Sequence, residues 1–163
     1  VKLEGGKDMA PAVESMVKAG ISVVGHIGLT PQTSVSFGGF KVQGGTPESA
    51  VALIEDAKAL EAAGAIGIVV ECVPSVVAKA MTEAVSIPIM GIGAGPDVDA
   101  QVMVTQDLLG MYGDFKPKFV KHFANIREEM IKGLNEFHTE SLSGAFPTPE
   151  FSFNKAIELP RVY

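Results

Sequence analysis

The sequence predicts an α/β fold built on a parallel sheet, and three observations point there. Short apolar runs rich in β-branched residues recur along the chain, helical patterns separate them, and the connecting segments carry the Pro and Thr residues that start helices. The runs are VKL (1–3), ISVVG (21–25), AIGIVV (65–70), IPIMGI (87–92) and a weaker VMVT (102–105). They are nearly continuous rather than alternating, as strands covered on both faces require. Helical patterns fill residues 8–19 with Pro11 in the first turn, 47–63 behind a Thr46 N-cap, and 74–85. This β-α-β-α-β-α-β order fits either a doubly wound sheet or a (β/α)₈ barrel. A complete barrel takes about 250 residues, so five strand candidates in 163 would leave roughly three units to be supplied.

Composition narrows the function classes. The 163 residues carry 13 Lys and Arg against 19 Asp and Glu, a formal charge of −6, and no basic block longer than two residues. A phosphate backbone would meet no electrostatic footprint, so nucleic acid is an unexpected partner. No apolar run approaches the roughly 18 residues of a transmembrane helix, and the VKLEGGKDM start lacks the basic and apolar regions of a signal peptide. A soluble protein without a membrane partner is expected. Val1 opens directly into a strand-like run, which suggests numbering that begins within a longer chain or after removal of residues. Cys72 is the single cysteine, which excludes an intrachain disulfide and a Cys-based zinc site. As an isolated thiol it reads as packing rather than as a nucleophile.

Two further segments stand out. Residues 27–45 (IGLTPQTSVSFGGFKVQGG) are long for a βα connection and rich in Gly, Ser, Thr and Gln, which suits a functional loop or lid as well as an irregular surface loop. After the fifth run comes an amphipathic stretch at about 116–137, predicted to be a helix, and then an irregular Pro-containing tail at about 144–163.

Ionisable residues gather where the apolar runs end: Lys2 and Glu4 in VKLEGG, His26 in VVGHIG and Glu71 in VVECVP. In parallel α/β folds the C-terminal strand ends form the active face. Strand side chains alternate, so Lys2 and Glu4 share one face, and Glu71 shares a face with Val69. A cation and two carboxylates can therefore converge. That suits general acid-base work or ligation of a hard cation, and it equally suits a structural Lys-Glu pair. The MGIGAGP turn (90–96) lacks the G-x-G-x-x-G spacing of a dinucleotide site and reads as a tight turn.

VKLEGG, GHIGLTPQ, GGFKVQG, LEAAGA, VVECVP, IPIMGIGAG and DLLGMYG-x-x-KPKFVK, taken in order over about 1–155, resemble the ketopantoate hydroxymethyltransferases. The resemblance implies a TIM barrel, of which 1–163 would be a single incomplete domain covering the C-terminal part, from about strand four onward. It implies transfer of a hydroxymethyl group from 5,10-methylenetetrahydrofolate to the 2-oxo acid 3-methyl-2-oxobutanoate, giving 2-dehydropantoate for pantothenate and coenzyme A synthesis. By the same resemblance Lys2 binds substrate, Glu4 sits at a Mg²⁺ ion, Glu71 is the proton acceptor and His26 is an active-site histidine. The metal would polarise the ketone while a carboxylate removes the C3 proton. The family's other metal and substrate contacts have no match in 1–163, so the chain alone is expected to lack part of the active site. A homo-oligomer, commonly a decamer, is implied, in the cytoplasm or, in a eukaryote, the mitochondrion. The alternatives are another metal-dependent 2-oxo-acid barrel of the phosphoenolpyruvate mutase or isocitrate lyase type, and a non-catalytic half-barrel that serves in assembly.

Overall fold

The computed structural model describes residues 1–113, 116–158 and 160; the last residues of the expected irregular tail fall outside these. Two compact units result, Val1–Val104 with Pro117–Val120, and Thr105–Lys116 with Lys121–Tyr163.

The first unit is a five-stranded sheet of β1 (Lys2–Glu4), β2 (Val24–Gly28), β3 (Gly67–Glu71), β4 (Ile89–Ile92) and β5 (Ala100–Gln101), all parallel and in sequential order. Helices α1 (Ala10–Lys18), α2 (Pro47–Ala62) and α3 (Ser75–Ala84) connect the first four strands. Sequential order decides between the two sequence alternatives. Right-handed crossovers between successive neighbours put every helix on the same side, whereas a doubly wound sheet reverses its order and splits them. The unit is therefore part of a (β/α) barrel.

Packing confirms which face the helices take. Leu3, Gly25, Ile68 and Ile89 stand in register across β1 to β4, and Leu3, Ile68 and Ile89 belong to the same apolar core as Val13 of α1, Ala57 and Leu60 of α2 and Met81 of α3. A Cβ at Gly25 would stand 2.8 Å from Leu60 Cδ1, so the glycine is what lets α2 lie this close to the sheet. The opposite face carries Glu4, His26, Val69 and Met90 as one register row. None of the three helices covers it.

Local chemistry sets the element ends. Thr46 caps α2 reciprocally with Ser49: the Thr46 hydroxyl accepts from the Ser49 amide, the Ser49 hydroxyl accepts from the Thr46 amide, and Pro47 follows. The second strand lies three residues later than the 21–25 reading because Ile21 closes α1. Its amide donates to Met16 O while that of Gly20 donates to Val17 O, a Schellman closure with Gly20 left-handed at φ 83°. The fifth strand also moves, to Ala100–Gln101 from the expected 102–105. Asp99 Oδ2 accepts the Ile89 amide and Val102 N donates to Gly91 O, which fixes the pairing early, and Thr105 already begins α4 (Thr105–Leu108).

In the second unit the helix expected at about 116–137 is corrected to α5, Ile126–Ser143. The donors it would have needed are used elsewhere: Phe123, Ile126 and Arg127 amides bond to the carbonyls of Leu108, Leu109 and Gly110. Pro117–Val120 meanwhile belongs to the first unit, with Val120 buried and Phe119 against Gly93. At its far end α5 runs past Phe137 to a left-handed Gly144, where Ala145 N bonds to Glu140 O. The segment that follows turns back, so that Phe146 packs between Phe137 and Phe151 with ring centroids 5.8 Å from each. Among the described residues no helix is long and apolar enough to cross a membrane.

Candidate active site

β1, β2 and β3 bring Lys2, Glu4, His26 and Glu71 together at the C-terminal end of the sheet, on the face without helices. The register follows from the strands themselves: Glu4 pairs with His26, and Gly28, two residues on, pairs with Glu71. Two-residue periodicity then points all four side chains the same way.

Lys2 Nζ lies 3.1 Å from Glu4 Oε1 and 2.9 Å from His26 Nδ1. The other Glu4 oxygen accepts the backbone N–H of Gln32 at 3.1 Å. On the far side of the imidazole, His26 Nε2 is 3.1 Å from Glu71 Oε2. That carboxylate stands off the ring N–H direction, so Nε2 is a buried nitrogen with no hydrogen-bond partner among the described residues. His26 is only 3% exposed, and the Glu4 and Glu71 side chains are 12% and 15% exposed, while Lys2 keeps about half its surface. The buried ring is thus the spacer between two carboxylates, with the one cation at the rim.

The long 27–45 segment is anchored at both ends to the strand that carries Glu71. Leu29 N donates to Glu71 O at 2.8 Å and Gln43 N donates to Cys72 O at 2.9 Å. Between these anchors a 3₁₀ helix, Pro31–Phe37, starts with Pro at its first turn and presents the Gln32 amide to Glu4. The sequence reading flagged the segment without finding this contact; the Thr-Pro pair at 30–31, a helix-start signal, could have located it. Cys72 adopts a left-handed backbone, φ 50°, immediately after Glu71. Burial, with the Glu71 carboxylate adding to it, pushes its thiol up to about 11, against the thiolate character a nucleophile needs.

A divalent cation fits this set poorly. Hard cations take several oxygen ligands, and both oxygens of Glu4 already face donors. Among the described residues no group of three or more His, Cys, Asp or Glu side chains is arranged to hold a metal.

Sequentially ordered βα units with buried ionisable groups at the C-terminal strand ends define part of a barrel of the catalytic α/β class. The comparisons then say which. The family model described as ketopantoate hydroxymethyltransferase matches residues 1–149. Proteins named 3-methyl-2-oxobutanoate hydroxymethyltransferase are 53% identical over 163 residues in Heliobacterium modesticaldum, covering 100% of this chain and 59% of that protein. The Clostridioides difficile protein of that name is 52% identical over 164 residues, covering 100% and 60%. The one from Thermus thermophilus is 49% identical over 153 residues, covering 94% and 59%. The chain belongs to the ketopantoate hydroxymethyltransferase family, a family of enzymes, and it spans about 59% of the length of the first of these relatives.

Proposed function

We propose that these residues are the acid-base and substrate-holding part of a 3-methyl-2-oxobutanoate hydroxymethyltransferase, the C-terminal part of its barrel. The observation that carries the reading is Glu71, a mostly buried carboxylate at the end of β3, facing His26 across 3.1 Å on the sheet face that an interior ligand would meet. Glu71 takes the C3 proton of the 2-oxo acid. The C–H electron pair moves into an enolate, and C3 then bonds to the methylene carbon of 5,10-methylenetetrahydrofolate as its two C–N bonds break: water supplies the hydroxyl and one proton, the proton taken by Glu71 goes to the other nitrogen, and tetrahydrofolate leaves. Lys2, the rim cation, holds the substrate's negative charge as a point donor, and His26, beside it at 2.9 Å, completes the substrate-holding pair. Held in place by its strand, each group acts without rearrangement.

Mg²⁺ is part of the proposal for the whole protein only. These residues offer it Glu4 alone, so no step here is routed through it. The homo-oligomer and the intracellular setting rest in the same way on the family resemblance.

The test is hydrogen exchange at C3 of 3-methyl-2-oxobutanoate in D₂O, followed by proton NMR on the complete protein. Glu71→Gln should keep oxo-acid binding and lower exchange by about a hundredfold or more, the usual contribution of a positioned base. Exchange at the wild-type rate would remove Glu71 from this role.

A further inference from the structure

The geometry points to a second task for Lys2: it fixes the tautomer of His26, so that the ring presents Nε2–H to Glu71 and becomes the positioning residue for that carboxylate. The inference rests on the reading of Glu71 as base, and it is carried by contacts that the reading itself does not use.

Lys2 Nζ sits 2.9 Å from His26 Nδ1. An ammonium group has three donors and no lone pair, so the ring nitrogen that faces it must be the acceptor. A proton on Nδ1 would set donor against donor at this distance. The nearby Glu4 Oε1, 3.5 Å from Nδ1, does not reverse this, because that oxygen is itself nearer to Lys2 Nζ, at 3.1 Å. Nδ1 is therefore the lone-pair side and the proton lies on Nε2. What one nitrogen bonds decides what the other offers.

That proton faces Glu71 Oε2 at 3.1 Å, which lies off the N–H axis, and has no hydrogen-bond partner among the described residues. The ring is 3% exposed, so no bulk water competes for the donor. A buried donor without an aligned partner is costly, and a carboxylate within reach is drawn toward it. Two functional consequences follow. The Nδ1 lone pair of His26 is turned to Lys2 Nζ, 2.9 Å away, and so is not aimed at the substrate as Glu71 is. The ring also restrains the Glu71 carboxylate from one side, while the open side faces the space over the sheet.

The test needs no activity. Long-range ¹H–¹⁵N spectra of the complete protein labelled at histidine separate its imidazoles, with His26→Gln assigning the His26 signals. An unprotonated Nδ1 with a protonated Nε2 is expected; a protonated Nδ1 would overturn the proposal. In Lys2→Met the preference should collapse to a mixture of tautomers, and in Lys2→Arg, which keeps a donor, it should persist. An unchanged pattern in Lys2→Met would show that Lys2 does not set it. The wild-type spectrum decides the first point even if a variant fails to fold. C3 exchange gives the functional arm. The Gln amide reaches the Nε2 position and the Asn amide only the Nδ1 position, so His26→Asn should lose about tenfold more than His26→Gln, the scale of one lost hydrogen bond; equal losses would refute positioning through Nε2. The two readings fail separately. Nε2–H in the spectrum with normal exchange in Glu71→Gln removes the base and leaves the tautomer lock, whereas Nδ1–H with exchange lost in Glu71→Gln removes only the lock.

Discussion

Gly28→Ala should damage stability and chemistry together, because Gly28 is where β2 touches the strand carrying Glu71. Gly28 is left-handed at φ 87°, and a Cβ there would stand 2.3 Å from Glu71 O, inside the 3.0 Å that real Cβ atoms respect, with Val73 Cγ1 at 3.0 Å. The obstacle is backbone, which cannot swing aside like the end of a side chain. Left-handed backbone costs a non-glycine residue about 1–2 kcal/mol. Pushing the Glu71 carbonyl away also weakens its bond from Leu29 N, 2.8 Å in the native structure, for about 1 kcal/mol more. A loss of roughly 2–3 kcal/mol corresponds to about 4–12 °C in Tm for a chain of this size. Displacement of Glu71 should lower C3 exchange by up to about a hundredfold, the scale of an ångström-sized misplacement. Gly20→Ala is the control: Gly20 is also left-handed, at φ 83°, but nothing lies within 4 Å of its would-be Cβ. It should cost only the backbone strain and leave exchange unchanged. Thermal melts by circular dichroism and NMR exchange assays on both variants decide the matter. Equal Tm losses, or normal exchange in Gly28→Ala, would refute the claim that this contact sets the position of Glu71.

Three other perturbations address separate links. Thr46→Ala removes one half of the reciprocal cap on α2 and should cost about 1 kcal/mol in chemical denaturation; no change would mean that Pro47 alone sets the helix start. Cys72 should resist alkylation at neutral pH, with its rate climbing through pH 9 and 10 toward about 11. A plateau near pH 9, where an ordinary thiol is ionised, would contradict the burial argument. Glu61 is held below its usual range by the hydroxyl and then the amide of Ser86. A depressed folded-state pKa stabilises above the unfolded value of 4.5, and this contribution is lost as pH falls through the folded value. The Tm difference between wild type and Ser86→Ala should accordingly be largest above about pH 5 and shrink in acid; a pH-independent difference would show that the carboxylate's charge is not involved.

How much of this was legible depended on whether the information was local. The helices at 47–63 and 74–85 were readable because Thr46, Pro47 and Pro74 mark their starts, and the structure places them at Pro47–Ala62 and Ser75–Ala84. The strand at 21–25 was misplaced because Ile21 looks like a strand residue by type, while its amide closes α1. The helix at 116–137 was misplaced for a related reason. Amphipathic periodicity ran through residues whose amides bond to Leu108, Leu109 and Gly110, partners that no local pattern announces. Gly144 marked the true end, and a reading that gave its capping signal more weight than Phe137 would have found it.

For the site, alternation along single strands placed Lys2 with Glu4 and put Glu71 on the Val69 side. It could not say that these sides coincide, because that depends on register between strands, and a one-residue slip would send a strand's side chains to the other face. The register is fixed by packing on the helix side. Gly25 admits Leu60, and Ile68 and Ile89 fill the same layer, so sliding β2 by one residue would drive a Val or His side chain into α2. The apolar face thus determines where the polar one points. His26 faces Glu4 on one neighbouring strand and Glu71 on the other because Gly25, beside it in sequence, has no side chain.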